Sequence, residues 1–195
     1  MEVIGIDEAG RGPLAGPVAV GAVIFSKRAR FDFDGLADSK KLSTLQREEW
    51  FRKMKDWQKE GKLRFAVSLI SNTVIDTKGI ASAISLGIER CFKKLNVDPN
   101  RAHVFLDGGL KAPDEFLNQQ TIIKGDEKIP AISLASIAAK ETRDTKMKQL
   151  AKKYPQYGFE IHKGYGTLFH RKAIKKYKAS DIHRKTFLKN FPQVD

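Results

Sequence analysis

Val3-Ile4-Gly5-Ile6-Asp7-Glu8-Ala9-Gly10-Arg11-Gly12-Pro13 is followed closely by Val18-Ala19-Val20-Gly21-Ala22-Val23-Ile24-Phe25. Two β-rich apolar runs flank a segment, Gly10 to Pro17, crowded with glycine and proline, so they read as neighbouring strands joined by a turning connection. Ser43 then caps a helix running to about Lys59, and Gly61 precedes a third strand, Leu63 to Ile70, which extends the pair into an antiparallel meander. A helical pattern opens at Asp76 or Thr77 and runs through Leu95. His103 to Asp107 and Thr121 to Ile123 read as two further strands, and a long helix follows from about Pro130 to Lys153. Beyond Tyr154 the composition turns basic and aromatic, with a helix from Thr167 to Tyr177 and a short one near His183 to Asn190. The sum is an α/β chain: a five-stranded mixed β-sheet flanked by helices, with a small helical carboxy-terminal part. Residues 1–153 are expected to form the main domain, and residues 154–195 a basic helical region packed on it that helps bind substrate.

Composition narrows the partner. The chain has 195 residues, enough for one hydrophobic core, and its single cysteine, Cys91, cannot form an internal disulfide and reads as a small buried hydrophobe. The amino terminus carries Glu2 and Asp7 where an export signal would carry a basic run and an unbroken apolar one. The longest apolar stretch, Ala15 to Phe25, is too short to cross a bilayer, so a cytoplasmic protein without a membrane partner, acting as a monomer, is expected. Thirty-six lysines and arginines against 23 acids give a net charge of +13, and a polyanion is the natural partner of such a field. Surface lysine chosen for solubility would also raise the charge, but here the basic residues crowd Lys140 to Lys189 while several acids stand alone in apolar surroundings.

Those acids are the chemical signal. Asp7 and Glu8 directly follow an apolar strand, and Asp107 ends another; in α/β sheets ligands collect where strand ends meet a crevice. Adjacent residues of one strand point to opposite faces, so Glu8 reaches the site of Asp7 only if the chain bends at Ala9-Gly10. Asp126, on the loop Lys124-Gly125-Asp126, is placed to complete the cluster, although taken alone it reads equally well as a turn-forming aspartate. Carboxylates held together repel by roughly 4 kcal/mol per close pair at an effective dielectric of about 20, so a cation is required between them. Oxygen donors without a supporting set of histidine or cysteine favour Mn²⁺ or Mg²⁺ over zinc. Two such ions about 4 Å apart would activate water and stabilise the leaving oxygen of a phosphodiester.

The surroundings suit a nucleic acid. Gly10, Arg11 and Gly12 put backbone without bulky side chains beside the acids, where a sugar-phosphate chain can approach main-chain groups. Tyr165, between Gly164 and Gly166 and near Lys163, suits packing on a sugar or base, although a tyrosine fixing its own loop is an equal reading. Ser39, Lys40 and Lys41 stand before a helix start, a reasonable phosphate contact and also an ordinary helix entry. Lys140 and Arg143 share a helical face and would hold substrate backbone, although a solvated face or an intramolecular pair with Asp144 is an equal reading.

Taken together, Gly5-Ile6-Asp7-Glu8-Ala9-Gly10-Arg11-Gly12-Pro13, Asp38-Ser39-Lys40-Lys41-Leu42, Leu106-Asp107-Gly108, Lys124-Gly125-Asp126, Ala135-Ser136-Ile137-Ala138-Ala139-Lys140 with Arg143-Asp144, and His162-Lys163-Gly164-Tyr165 resemble ribonuclease HII. The resemblance runs from Val3 to about Phe187. It implies a ribonuclease H-like fold with Asp7, Glu8, Asp107 and Asp126 as the metal-site acids, Gly10, Arg11 and Gly12 on the ribonucleotide 2′-hydroxyl, and Tyr165 against the adjoining sugar. It further implies endonucleolytic cleavage 5′ to a ribonucleotide, in RNA–DNA hybrids and at single ribonucleotides in duplex DNA, with 3′-hydroxyl and 5′-phosphate products and a role in removing ribonucleotides from DNA. Leu134 departs from the pattern, where a smaller residue is expected before Ala135, which bears on helix packing and not on chemistry.

Three other readings compete. A non-catalytic nucleic-acid-binding module explains the charge but leaves the strand-end acids without purpose. The sister family, ribonuclease HIII, carries an added amino-terminal domain for which this chain is expected to have no room. Glycoside hydrolysis by a carboxylate pair is disfavoured by the basic charge.

Overall fold

The computed structural model describes residues 1–36 and 42–189. Strand β1 (Glu2–Ala9) pairs antiparallel with β2 (Val18–Ser26), and β2 pairs antiparallel with β3 (Leu63–Ile70). On the other side of β1 lie β4 (Ala102–Asp107) and then β5 (Gln119–Ile122), both parallel, giving the mixed order β3-β2-β1-β4-β5. The meander and the two added strands are those expected from the sequence. Strand β1 runs further than expected: Asp7 and Glu8 belong to it, because their backbones keep ladder partners in Gly21 and Val20, and a paired backbone outweighs a polar side chain. Strand β5 likewise starts earlier, since Gln119 and Gln120 pair with Val104 and Phe105.

The helices take opposite faces of this sheet. Helix α1 (Thr44–Lys59) starts at a full capping box, Ser43 accepting from the Gln46 N–H and the Gln46 side chain accepting from the Ser43 N–H. Helix α2 (Asn72–Leu95) opens earlier than the apolar pattern predicts, because Ser71 caps it, and Gly79, at φ 80° and ψ 160°, breaks it into two pieces. Its Ile84 and Ile88 pack with Ile4, Ile6 and Val20 of the sheet. Helix α3 (Pro130–Lys153) presses on the other face, across β1 and β2. That approach demands glycine: a Cβ on Gly5 would stand 2.0 Å from the Ala131 carbonyl carbon, and one on Gly21 2.3 Å from the Ala135 oxygen. Leu134 is fully buried among Trp50, Met54 and Leu63, so the larger residue fills the space between α1, α3 and β3.

The carboxy-terminal part folds back on the end of α3. Helices α4 (Phe159–His162) and α5 (Leu168–Tyr177) bring Phe159 and Ala173 into a cluster with Ala15, Met147 and Tyr157. The last described helix, α6 (Lys185–Leu188), starts later than the stretch from His183 to Asn190 expected of it, and Asn190 lies outside the described residues. His183 forms a β-bridge with Ala15 and the Arg184 N–H donates to the Leu14 carbonyl, which holds the chain extended there. Among the described residues no helix is long and apolar enough to cross a membrane.

Candidate active site

The register decides where the acids go. Ile6 of β1 stands opposite Leu106 of the parallel β4, so Asp7, near the end of β1, and Asp107, the last residue of β4, lie side by side. Within β1, Gly5 and Asp7 face α3 while Ile4, Ile6 and Glu8 face α2. Because the chain turns immediately afterwards at Gly10, whose φ of 87° suits glycine, both Asp7 and Glu8 still border one cavity at the strand ends. This cavity, about 420 Å³, has Asp7, Glu8 and Asp107 on its floor and Arg11, Gly12 and Tyr165 along its rim. Ser136, Lys140 and Arg143, spaced along one face of α3, close it from the side, with Arg47 of α1 beside them.

The floor is electrostatically strained. Burial, with repulsion from Glu8 and Asp107, pushes the Asp7 carboxyl up to about 8, although Ser136 and the Glu8 N–H, 2.7 Å from Oδ1, favour its charged form. Burial also raises Glu8, against the pull of Arg11, whose Nη1 lies 3.4 Å from its Oε1. Asp107 Oδ1 accepts the Gly125 N–H at 2.7 Å, which ties the strand end to the 3₁₀ turn Gly125–Glu127.

The family model for ribonuclease HII matches residues 4–190. The chain belongs to the ribonuclease HII family. It is 44% identical over 185 residues to ribonuclease HII of Coxiella burnetii (strain Dugway 5J108-111), covering 95% of this chain and 87% of that one. The ribonuclease HII solved in the PCNA:RNase HII complex from Archaeoglobus fulgidus shares 26% identity over 95% of this chain and 94% of its own, at a TM-score of 0.73. Bst-RNase HIII, solved in complex with Mn²⁺, is similar in fold at a TM-score of 0.69, with 16% identity over 99% of this chain and 63% of that one. The protein is thus a ribonuclease H hydrolase with a ribonuclease H-like fold.

By position in the structure, the residues singled out in the sequence fall into three groups. Asp7, Glu8, Gly10, Arg11, Gly12, Asp107, Lys140, Arg143 and Tyr165 all border the cavity. Asp126, 2% exposed, sits in the turn that Asp107 holds, and neither it nor Lys163 is among the bordering residues. Ser39, Lys40 and Lys41 lie outside the described residues. Three of the basic residues are engaged by the protein itself. Arg143, 1% exposed, donates from Nε to the Pro17 carbonyl at 2.9 Å and from Nη2 to the Lys163 carbonyl at 3.0 Å, while Lys163 donates from Nζ to the Glu160 carbonyl. Lys140 lies 2.5 Å from Asp144 Oδ2, the pairing that its spacing allowed.

Sequence reasoning passed over Ser136 and Arg47 as site residues. Ser136 precedes Lys140 by one helical turn, a spacing that points to a shared face. Arg47 is held at the cavity by Glu141, 3.2 Å away, from a distant part of the chain, and nothing local signals it. Arg184, fully buried, reaches the Gly10 and Arg11 carbonyls from the far end of the chain and was likewise unmarked.

Proposed function

We propose that this chain cleaves the phosphodiester on the 5′ side of a ribonucleotide, in RNA–DNA hybrids and at single ribonucleotides embedded in duplex DNA, leaving a 3′-hydroxyl and a 5′-phosphate. The observation that carries the reading is the meeting of mutually repelling carboxylates, Asp7 buried and Glu8 and Asp107 half-buried, with a glycine loop and an exposed tyrosine in one cavity. Tyr165 is 47% exposed, and a Cβ on Gly12 would stand 4.0 Å from its ring, so loop and ring form two sides of a narrow slot that must widen to admit a ribose. Main-chain groups of Gly10, Arg11 and Gly12 bond the 2′-hydroxyl, and Tyr165 packs on the adjoining sugar. A deoxyribose leaves those groups unpaired, which is the physical basis of discrimination.

The donor set fits a hard divalent cation, Mn²⁺ or Mg²⁺. Asp7, Glu8 and Asp107 offer carboxylate oxygens, among the described residues no imidazole or thiol borders the cavity, and the carboxyls disfavour one another's charge until a cation offsets it. Among the described residues no three such side chains stand in a ready metal-binding arrangement, Glu8 being turned toward Arg11 and Asp107 toward Gly125. These three would hold the metal after Glu8 releases Arg11, with Asp126 as the fourth acid on the turn anchored to Asp107. A pair of bound cations supplies water activation and stabilises charge on the leaving oxygen. Ser136 orients Asp7, and Arg11, freed from Glu8, faces the substrate backbone as a phosphate contact. Residues 1–153 form the catalytic domain, and residues 154–195 contribute Tyr165 and basic charge to substrate binding.

The test is a denaturing-gel assay on a DNA duplex carrying one ribonucleotide, beside an all-DNA duplex, each with Mn²⁺, Mg²⁺ or EDTA. A metal-dependent nick 5′ to the ribonucleotide, absent from the all-DNA control, is expected. Binding without a cut under any metal overturns the catalytic reading in favour of a binding module.

A further inference from the structure

His183 and Arg184 are adjacent, yet their side chains fasten different parts of the cavity rim. Arg184 is fully buried and spends its guanidinium on main-chain carbonyls: Nε donates to Gly16 at 3.0 Å, Nη1 to Arg11 at 2.8 Å and Nη2 to Gly10 at 2.6 Å. The rigid fork of donors fixes those three carbonyls relative to one another, which a lysine or an apolar residue cannot do. In a planar trans peptide the N–H points opposite to the C=O. With the Gly10 and Arg11 oxygens drawn toward Arg184, the N–H groups of Arg11 and Gly12 are turned away from it. Burying a cation to hold backbone is costly, and burial pushes this guanidinium down to about 9.

His183 works in the other direction. Its Nδ1 accepts the Ser180 N–H at 2.9 Å, so its proton is on Nε2, which donates to His170 Nε2 at 3.1 Å. His170 therefore carries its proton on Nδ1, which donates to the Tyr165 carbonyl at 2.9 Å. One backbone donor thus sets both tautomers and ends on the residue that forms the far side of the slot. The segment is held from outside the cavity as well. Asn72 donates to the carbonyls of Asp181 and His183 at 2.8 and 3.2 Å, and Asp76 accepts the N–H groups of Lys185 and Thr186, each at 2.9 Å.

We propose that the segment Ser180–Arg184 is a latch that sets the Gly10–Gly12 loop against Tyr165, with Arg184 and His183 as positioning residues for ribose recognition. The proposal rests on the reading of the cavity as a ribonucleotide site. It assigns to the carboxy-terminal segment a part in selectivity, distinct from any contact of its basic residues with the duplex.

The experiment compares wild type with Arg184→Lys and Asp76→Asn, measuring kcat/KM on the single-ribonucleotide duplex, affinity for the all-DNA duplex, and melting temperature. Arg184→Lys keeps the charge and loses the fork; its kcat/KM is expected to fall about tenfold or more while all-DNA affinity stays within about twofold. Unchanged kcat/KM, or an equal loss of cleavage and all-DNA affinity, overturns the proposal. If Arg184→Lys does not fold, Asp76→Asn decides, since it loosens the segment from outside the cavity: a drop of about threefold in the ratio of cleavage to all-DNA affinity supports the latch, and an unchanged ratio overturns it. A wild-type protein with no preference for the ribonucleotide-containing duplex strikes the site reading itself, and the latch with it.

Discussion

Two polar clusters adjoin the Gly10–Pro17 segment: the carboxylates Asp7, Glu8 and Asp107, of which Asp7 is buried and the others half-buried, and the buried histidines His162, His170 and His183. Burial is the leading influence on Asp7 and on the histidines and acts with opposite sign, pushing Asp7 up to about 8 and His170 and His183 down to about 4. The histidines meet it by staying neutral, with their ring nitrogens paired to backbone groups and to each other. The acids have like charges as neighbours, relieved only in part by Ser136 and Arg11. A polar cluster satisfied by the protein alone builds structure, whereas one left with excess charge of one sign is completed by something from outside.

The strongest way to break this contrast is to remove charge from the strained side. Asp7→Asn and Asp107→Asn are each expected to lower cleavage of the single-ribonucleotide duplex by at least ~10³-fold, with duplex binding and folding nearly intact. Wild-type rates in either variant would return the acids to the class of ordinary strand-end residues. Next in size is Tyr165→Ala, expected to cost about 10- to 100-fold in cleavage at the junction while all-DNA affinity changes by less than about twofold. Equal losses would instead place the ring with the structural histidines whose relay ends on its carbonyl.

Metal-free protein offers a sharper test, because the two clusters respond to pH in opposite directions. Asp7 has a folded pKa near 8 against an ordinary 3.8, so its stability contribution is complete below about pH 4 and is lost as pH rises toward 8. His170 and His183 have folded values near 4 against 6.5, so theirs is complete above about pH 6.5 and is lost as pH falls toward 4. Melting temperature in EDTA should therefore be limited from both sides. Asp7→Asn is expected to raise it by about 5 °C or more at pH 8 and to leave the acid side unchanged. Divalent cation added to wild type at pH 8 should do the same. An alkaline limb that survives Asp7→Asn would show that burial of Asp7 is not its source.

The same contrast explains what the sequence disclosed. Strand and helix order followed from apolar runs and local caps, and Ser43 and Thr167 open their helices as read. The end of β1 was misplaced because ladder pairing with Gly21 and Val20 is a non-local effect, and the start of α2 because Ser71 caps it ahead of the apolar stripe. Asp7, Glu8 and Asp107 stood out because acids at strand ends contradict the pattern around them. His183 and Arg184 did not, since their partners, His170, Gly10, Arg11 and Gly16, lie far away along the chain and their residue types are ordinary in a basic tail. Residues in conflict with their local context were legible; residues satisfied by distant backbone were not.

The smallest expected effect separates the two glycines that flank Arg11. At Gly10 the backbone has φ 87° and a Cβ would lie 1.9 Å from Arg143 Nε, itself pinned to the Pro17 and Lys163 carbonyls, so Gly10→Ala should destabilise the fold by at least ~2 kcal/mol. At Gly12 the only neighbour within 4 Å among the described residues is the Tyr165 ring, at the edge of that range, so Gly12→Ala is expected to melt within about 2 °C of wild type. Its methyl group would nonetheless enter the slot between loop and ring, and cleavage should fall about three- to tenfold through a higher KM, because loop and ring must part further before substrate binds. A Gly12→Ala protein that cleaves normally would mean that the sugar does not pass between Gly12 and Tyr165; one that melts far lower would mean that the loop, like the histidine relay behind it, is held too tightly to admit even a methyl group.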